Sequence, residues 1–291
     1  MHLDSLFNKP ILSQVDLGGH ASHVWLVKTL DEEVVVRASG VNDEIEVPFL
    51  DACRQLYGTY INNTFDLEFI NKEIESLSSI PIPQVLRKGM VDGFQVVVVE
   101  RMNGSSFQFP NQPSLMLERF GESLAKIHSK KFKECGNVIG TFRYPVDQFH
   151  KRLIEIIQVI VEKHYKNEKQ IKLEFKTMLE ILKQLPSPKY ASYIMVDMDS
   201  RQLLSNGQQI TAIVDTEAYV IAPRELDLIS LECSFDLNAA AAFKKGYESV
   251  LSFPDLSPYR EVYRYFYRLL QVKGPIDYTD WMSKPSYFEQ K

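Results

Sequence analysis

Two carboxylates and one amide stand out for the chemistry they could share. Asp197 closes the apolar run 193–196, YIMV, and Asp215 closes the run 210–214, ITAIV, with Gln202 on the segment after the first. Between the runs, Asn206-Gly207 is the strongest short-range signal for a tight turn. A hairpin spanning residues 193–228 would hold both carboxylates at one rim of a sheet. One could orient a hydroxyl; the other, with the amide oxygen, could hold a divalent cation, which is the equipment of phosphoryl transfer. The plainer reading is that strands end in Asp because Asp opens turns and exposes its charge. The hairpin alone leaves both readings open.

Other residues could serve the same chemistry. Gly18-Gly19 and Ser22 lie between two expected strands, where paired glycines admit an anion close to backbone amides and the serine adds a hydroxyl donor. A plain hairpin turn uses Gly-Gly equally well. Arg37 closes a Val-Val-Val run and could reach the phosphates of a nucleotide under that loop, or could simply be a strand-end arginine. Glu73, on the following helix, could pair with Arg37, or stand solvated beside Lys72 and Glu75. Glu100 and Met102 follow another valine run and could present main-chain groups and an apolar wall to a base. Glu217, Glu225 and Glu232 would suit a cationic acceptor, and Tyr219, Tyr263, Phe266 and Tyr267 could cage a quaternary amine. Structural carboxylates and core aromatics are the commoner use of such residues.

These groups need elements to position them. The segments SHVWLVK (Ser22–Lys28) and EVVVRA flank a short polar connection and predict an antiparallel pair. Residues 40–66 form an insertion whose FLDACRQLYGTY core could be a helix. Residues 67–80 carry apolar positions at helical spacing, ended by Pro81-Ile82-Pro83. Residues 95–99, QVVVV, read as a buried strand. Beyond Asn103-Gly104 long helices take over: 115–129, two helices over 146–185 broken near 165–167, and several over 226–272. The expected architecture is α+β and two-lobed. A sheet-rich N-terminal lobe spans residues 1–100, a hinge 101–104, and a helical C-terminal lobe 105–291 carries the hairpin, with a ligand cleft between the lobes.

Composition bounds the rest. The chain has 291 residues, 45% hydrophobic and 24% charged, with a net charge of −5. That is an ordinary globular composition and argues against a nucleic-acid or anionic-membrane binder. No apolar run approaches the length of a membrane span, and the first residues lack a basic-then-apolar signal pattern. Cys53, Cys135 and Cys233 are scattered without metal or disulfide spacing, which suits a reducing, cytoplasmic setting. Nothing in the sequence speaks to oligomeric state.

Taken in order, these residues resemble the aminoglycoside phosphotransferase and choline kinase superfamily, small-molecule relatives of protein kinases, over about residues 17–247. GGHASHVW stands where that family has GGxxNxVY. Arg37 in VVVRA matches its first-lobe cation and Glu73 its helix glutamate. IPIPQVL, the hinge VERMNG and the helix end LAKIHS are each similar to family phrases. His128 would pack rather than catalyse, and Asp227 in APRELDL would brace the catalytic loop. The family's His-Gly-Asp-x-x-x-x-Asn resembles residues 195–202, MVDMDSRQ.

The resemblance implies a protein-kinase-like fold and ATP-dependent transfer of the γ-phosphoryl group, with Mg, to a hydroxyl of a small molecule. The acceptor would be an amino alcohol, a sugar or an aminoglycoside-like compound. Asp197 would orient the acceptor, and Asp215 and Gln202 would hold magnesium. Gly18, Gly19, Ser22, Arg37, Glu73, Glu100 and Met102 would surround the nucleotide. The sequence departs from the pattern at Met195, which replaces the loop histidine, and at Gln202, one methylene longer than Asn. It departs again at Asp199, an acid where a cation is usual; Arg201 or a second cation is expected to offset it. These departures support an alternative, a catalytically impaired pseudokinase that binds a nucleotide or a partner.

Overall fold

The structure, a computed structural model, describes residues 1–18, 22–39, 46–60 and 62–289. The N-terminal part is built on β1 (Ser13–Asp16), β2 (Ser22–Lys28) and β3 (Glu33–Ser39), followed by α1 (Pro48–Tyr57), α2 (Leu67–Glu75), β4 (Val85–Val91) and β5 (Phe94–Glu100). The strands form one antiparallel sheet in the order β1-β2-β3-β5-β4. The expected pair of strands is present, with Arg37 opposite Val24. The unbroken valine run of β5 follows from its position, since both faces of this strand are covered. Val96 and Val98 pack with Trp25, Val36 and the N-terminal Leu3, while Val97 and Val99 pack with Leu67 at the start of α2.

In α2 the buried positions are Leu67, Ile70, Asn71 and Ile74, one stripe of an amphipathic helix. It stops at Glu75, short of the expected residue 80. The Ser76 hydroxyl donates to Glu73 O, and the Ser78 hydroxyl bonds both the amide and the carbonyl of Ile80, so side chains take over the backbone groups.

The C-terminal part begins with α3 (Ser114–Ser129), β6 (Glu134–Asn137), β7 (Arg143–Pro145), α4 (Phe149–His164) and α5 (Lys169–Gln184). Then come β8 (Ser192–Met195), β9 (Leu203–Ser205), β10 (Ile210–Ile213) and β11 (Tyr219–Ala222). Helices α6 (Glu225–Glu232), α7 (Leu237–Glu248), α8 (Arg260–Leu270) and α9 (Tyr278–Met282) complete it. One large apolar core joins these helices. Helices α3 and α7 approach so closely that a Cβ on Gly121 or Gly246 would strike the backbone of the facing helix.

Two features differ from the sequence reading. The Asn206-Gly207 turn exists, but it joins β9 to β10; β8 pairs instead with β11, in a sheet of order β7-β6-β11-β8. A four-residue apolar run carries no register information of its own, and the segment 198–202 turns the chain away before it can pair with β10. The second is the insertion. Its helix α1, expected within the N-terminal lobe of residues 1–100, packs on the helical part, placing Ala52, Leu56 and Tyr57 in that core. Asp51, 4% exposed, fixes the contact by accepting from His164 Nε2 at 2.7 Å, with Lys163 Nζ at 3.1 Å.

Candidate active site

Asp197 and Asp215 reach one place by two different routes. Asp197 follows β8, whose last amide, Met195 N, donates to both oxygens of Asp227 at 3.1 and 3.2 Å. Asp227 is fully buried and is itself held by His128 Nε2 at 3.2 Å. The Tyr247 hydroxyl accepts from Arg224 and bonds His128 Nδ1 at 2.9 Å, so Nδ1 is the acceptor and the Nε2 hydrogen points at Asp227. Burial holds His128 well below its ordinary pKa. The packing role expected of His128 and the bracing role expected of Asp227 are one hydrogen-bonded chain.

After Asp197 the loop is folded by its own side chains. The Asp199 carboxylate caps the short helical turn 200–202 by accepting from Arg201 N at 3.0 Å. That turn carries Gln202 back so that its Nε2 donates to Asp197 Oδ2 at 3.1 Å. The Gln202 carbonyl accepts from Val214 N at 2.7 Å, which ties the loop to the residue before Asp215. Asp197 Oδ1 and Gln202 Oε1 are buried and have no partner among the described residues. Burial, and then the charge of Asp215, push the Asp197 carboxyl up to about 7.

Asp215 adopts a left-handed backbone, φ +56°, a conformation that Asp and Asn tolerate better than other side chains. The turn after it is pinned by Thr216, whose hydroxyl donates to Asn71 Oδ1, while Asn71 Nδ2 donates to Pro83 O at 2.7 Å. Asn71 thus anchors the aspartate's neighbour to α2 and to the extended segment that leads into β4. The sequence held a signal for it, an Asn on the apolar stripe 67, 70, 74.

Arg37 crosses from β3 to this turn. Its Nη1 lies 2.6 Å from Asp215 Oδ1 and its Nη2 2.6 Å from Glu217 Oε1. Burial disfavours the Arg37 charge, but Glu217 and Asp215 outweigh it and raise the pKa. The expected Arg37–Glu73 pair is absent. Glu73 lies off the buried stripe of α2 and meets Lys130 at 2.9 Å and the Tyr193 hydroxyl at 2.8 Å. The acid opposite Arg37 on this side is Glu217.

Asp199 is neutralised twice. Arg201 Nε lies 3.1 Å from Oδ1, and Lys273 Nζ 3.3 Å from Oδ2. Lys273 is the second cation; it also donates to Met198 O and the Ser234 hydroxyl. Its position after an aromatic-rich helix gave no sequence signal. Arg201 also donates to Val272 O at 3.0 Å.

The remaining expected residues are less gathered. Gly18 has φ +74° and donates its amide to Asp16 Oδ1 at 2.7 Å, Ser22 starts β2, and Gly19 lies outside the described residues. Glu100 ends β5, its amide bonded to Gln84 O at 2.9 Å, and Met102 follows half-buried. Of the acids suggested for a cationic acceptor, Glu232 is fully committed: Arg260 and Arg264 hold it and Phe288 N donates to it. Tyr219, Tyr263, Phe266 and Tyr267 are core residues, none more than 1% exposed.

No protein-family model matches the sequence, and no curated protein does. Solved structures do. A candidate fructosamine-3-kinase from Haemophilus somnus 129PT superposes with a TM-score of 0.62 at 16% identity, over 95% of this chain and 90% of that one. The macrolide 2'-phosphotransferase MphH from Brachybacterium faecium gives 0.59 at 9% identity, over 94% and 97%. Spectinomycin phosphotransferase APH(9)-Ia, solved with ADP and spectinomycin, gives 0.63 at 12% identity, over 93% and 84%. At such identities the likeness is one of fold. The chain has the two-lobed, α+β, protein-kinase-like fold that the sequence resemblance implied. Among the described residues no helix is long and apolar enough to cross a membrane.

Proposed function

We propose that this protein is an ATP-dependent phosphotransferase that moves a γ-phosphoryl group to a hydroxyl of a small molecule. The observation that carries the reading is the linkage of Gln202 to Asp197, of the Gln202 backbone to the residue before Asp215, and of Asp215 to Arg37, in a fold shared with solved phosphotransferases. Asp197 would orient the acceptor. Its Oδ2 is fixed by the Gln202 amide, and its unpartnered Oδ1 is the atom for the acceptor hydroxyl. A carboxyl near 7 is poised to take that proton late in transfer.

The donor set suits magnesium. Gln202 Oε1 is a buried oxygen without a donor among the described residues, and Asp215, whose side chain is half exposed, follows Val214, the residue bonded to the Gln202 carbonyl. Among the described residues no three His, Cys, Asp or Glu side chains could hold a metal alone. Magnesium needs no such cage, since it takes one or two carboxylates and completes its shell with water and substrate phosphates. When bound, it would neutralise charge on the phosphates being separated. Arg37 and the loop of Gly18, Gly19 and Ser22 would hold phosphates, with Glu100 and Met102 at the base. Arg201, with Lys273, would offset Asp199. Glu73 would serve by linking α2 to Lys130 and Tyr193.

One observation favours the impaired-kinase alternative: Arg37, the cation meant for phosphates, is clamped on Asp215, the residue meant for the metal. Thermal melting separates the readings. ATP with magnesium at about 100 times its Kd adds about 2.7 kcal/mol of stability, a rise of roughly 5–10 °C, while either alone gives much less. A melting curve unmoved by the pair would set the phosphotransferase reading aside.

A further inference from the structure

Arg37 is forked between two acids of one turn. Its Nη1 lies 2.6 Å from Asp215 Oδ1 and its Nη2 2.6 Å from Glu217 Oε1, so each carboxylate holds a different nitrogen. The two acids stand differently toward solvent. The Asp215 side chain is 48% exposed, that of Glu217 22% and that of Arg37 12%. A ligand arriving from solvent meets Asp215 first, while the Glu217 contact is the more sheltered.

Backbone contacts fix both ends of that sheltered pair. Arg37 sits on β3, the strand between β2 and β5, opposite Val24 on one side and Val97 on the other. Glu217 sits in the short turn Thr216–Ala218. The Thr216 hydroxyl ties the start of the turn to Asn71 Oδ1, and Val196 N ties its end by donating to Ala218 O at 3.2 Å. Glu73 of α2 is turned instead to Lys130 and the Tyr193 hydroxyl. A planar guanidinium held through two separate nitrogens can give up one partner and keep its direction through the other.

We propose that Glu217 is the positioning residue of Arg37: when Asp215 leaves Arg37 for magnesium, Glu217 keeps Nη2, so that Nη1 is free for the nucleotide phosphates. The Arg37–Asp215 contact is then the resting state of a competent site. This role rests on the phosphotransferase reading.

The test reads nucleotide binding, not turnover, by calorimetric titration of the full chain with magnesium and a non-hydrolysable ATP analogue. Glu217→Gln keeps the shape and removes the charge; it should weaken binding about tenfold or more, and by more than Glu73→Gln does. The loss should fall on the phosphates, with adenosine weakened less than about twofold. In an Arg37→Met background, or Arg37→Gln if that variant does not fold, Glu217→Gln should likewise cost less than about twofold, because no guanidinium is left to aim. A full-sized loss in that background, or an equal loss for adenosine, would place Glu217 on the metal or in the fold and overturn the proposal. Tight binding that is equal in wild type and Glu217→Gln removes the proposal alone. No nucleotide binding by the wild type removes the phosphotransferase reading, and the proposal with it.

Discussion

Removing the Asp199 carboxylate should unfold this protein more readily, because it strands a buried ammonium. Lys273 Nζ lies 3.3 Å from Asp199 Oδ2, with side chains 10% and 14% exposed. At that separation and an effective dielectric of about 20, the attraction is about 5 kcal/mol before desolvation. Burial of both groups consumes part of it. It also lowers the Lys273 pKa, which Asp199 counters; at Asp199 itself the pull of Lys273 and Arg201 overcomes burial and lowers the pKa. Asp199→Asn should therefore cost about 3 kcal/mol. Lys273→Met should cost less, about 1–2 kcal/mol, because Asp199 keeps the Arg201 amide and Nε. The double variant Asp199→Asn/Lys273→Met leaves no stranded charge. Its loss should fall short of the two singles added together by about 1.5 kcal/mol or more. Urea unfolding, read as midpoint and slope, measures all four corners of the cycle. Additivity within about 0.5 kcal/mol would mean that the pair is not coupled, and the explanation of how an acid is tolerated beside Asp197 would fail.

Two further outcomes follow from the same contacts. Asn71→Ala removes the acceptor of Thr216 and the donor to Pro83 and should cost about 2–3 kcal/mol in urea; a loss under about 0.5 kcal/mol would show that Asn71 does not anchor the Asp215 turn. His150 is buried, its Nε2 on the Tyr263 hydroxyl at 2.9 Å, and burial brings its pKa down to about 4. The unfolded chain binds the proton near 6.5 and the folded one does not until about 4, so stability is lost as pH falls through that window, by up to about 3 kcal/mol. His150→Gln should flatten that part of the profile relative to wild type, and an unchanged slope from pH 6.5 to 4 would contradict it.

How much of this was legible depends on range. Strands β2, β3 and β5 and the helices over 114–184 announce themselves by local periodicity, and the Asn206-Gly207 turn by its dipeptide. Asp197, Gln202 and Asp215 were readable as a group because each ends or follows an apolar run. The partner of β8 was not, since four apolar residues fit either face or neighbour. Lys273 meets Asp199 from 74 positions away, and no local pattern marks a lysine that will be buried. The expected Arg37–Glu73 pair fails for a readable reason: residues 67, 70, 71 and 74 define the buried face of α2, and 73 lies off it. The helix α1 in the insertion could be suspected from its sequence, but its docking depends on Asp51 meeting α4 more than a hundred residues later.

The central claim, that Asp197 directs a hydroxyl acceptor in phosphoryl transfer, is tested most directly by ADP release. Wild type and Asp197→Asn are compared with ATP and magnesium across amino alcohols, sugars and aminoglycosides. The expected result is turnover with at least one acceptor class, reduced by about 100-fold or more in Asp197→Asn. Equal turnover in the variant, or none by the wild type with any acceptor, would contradict it.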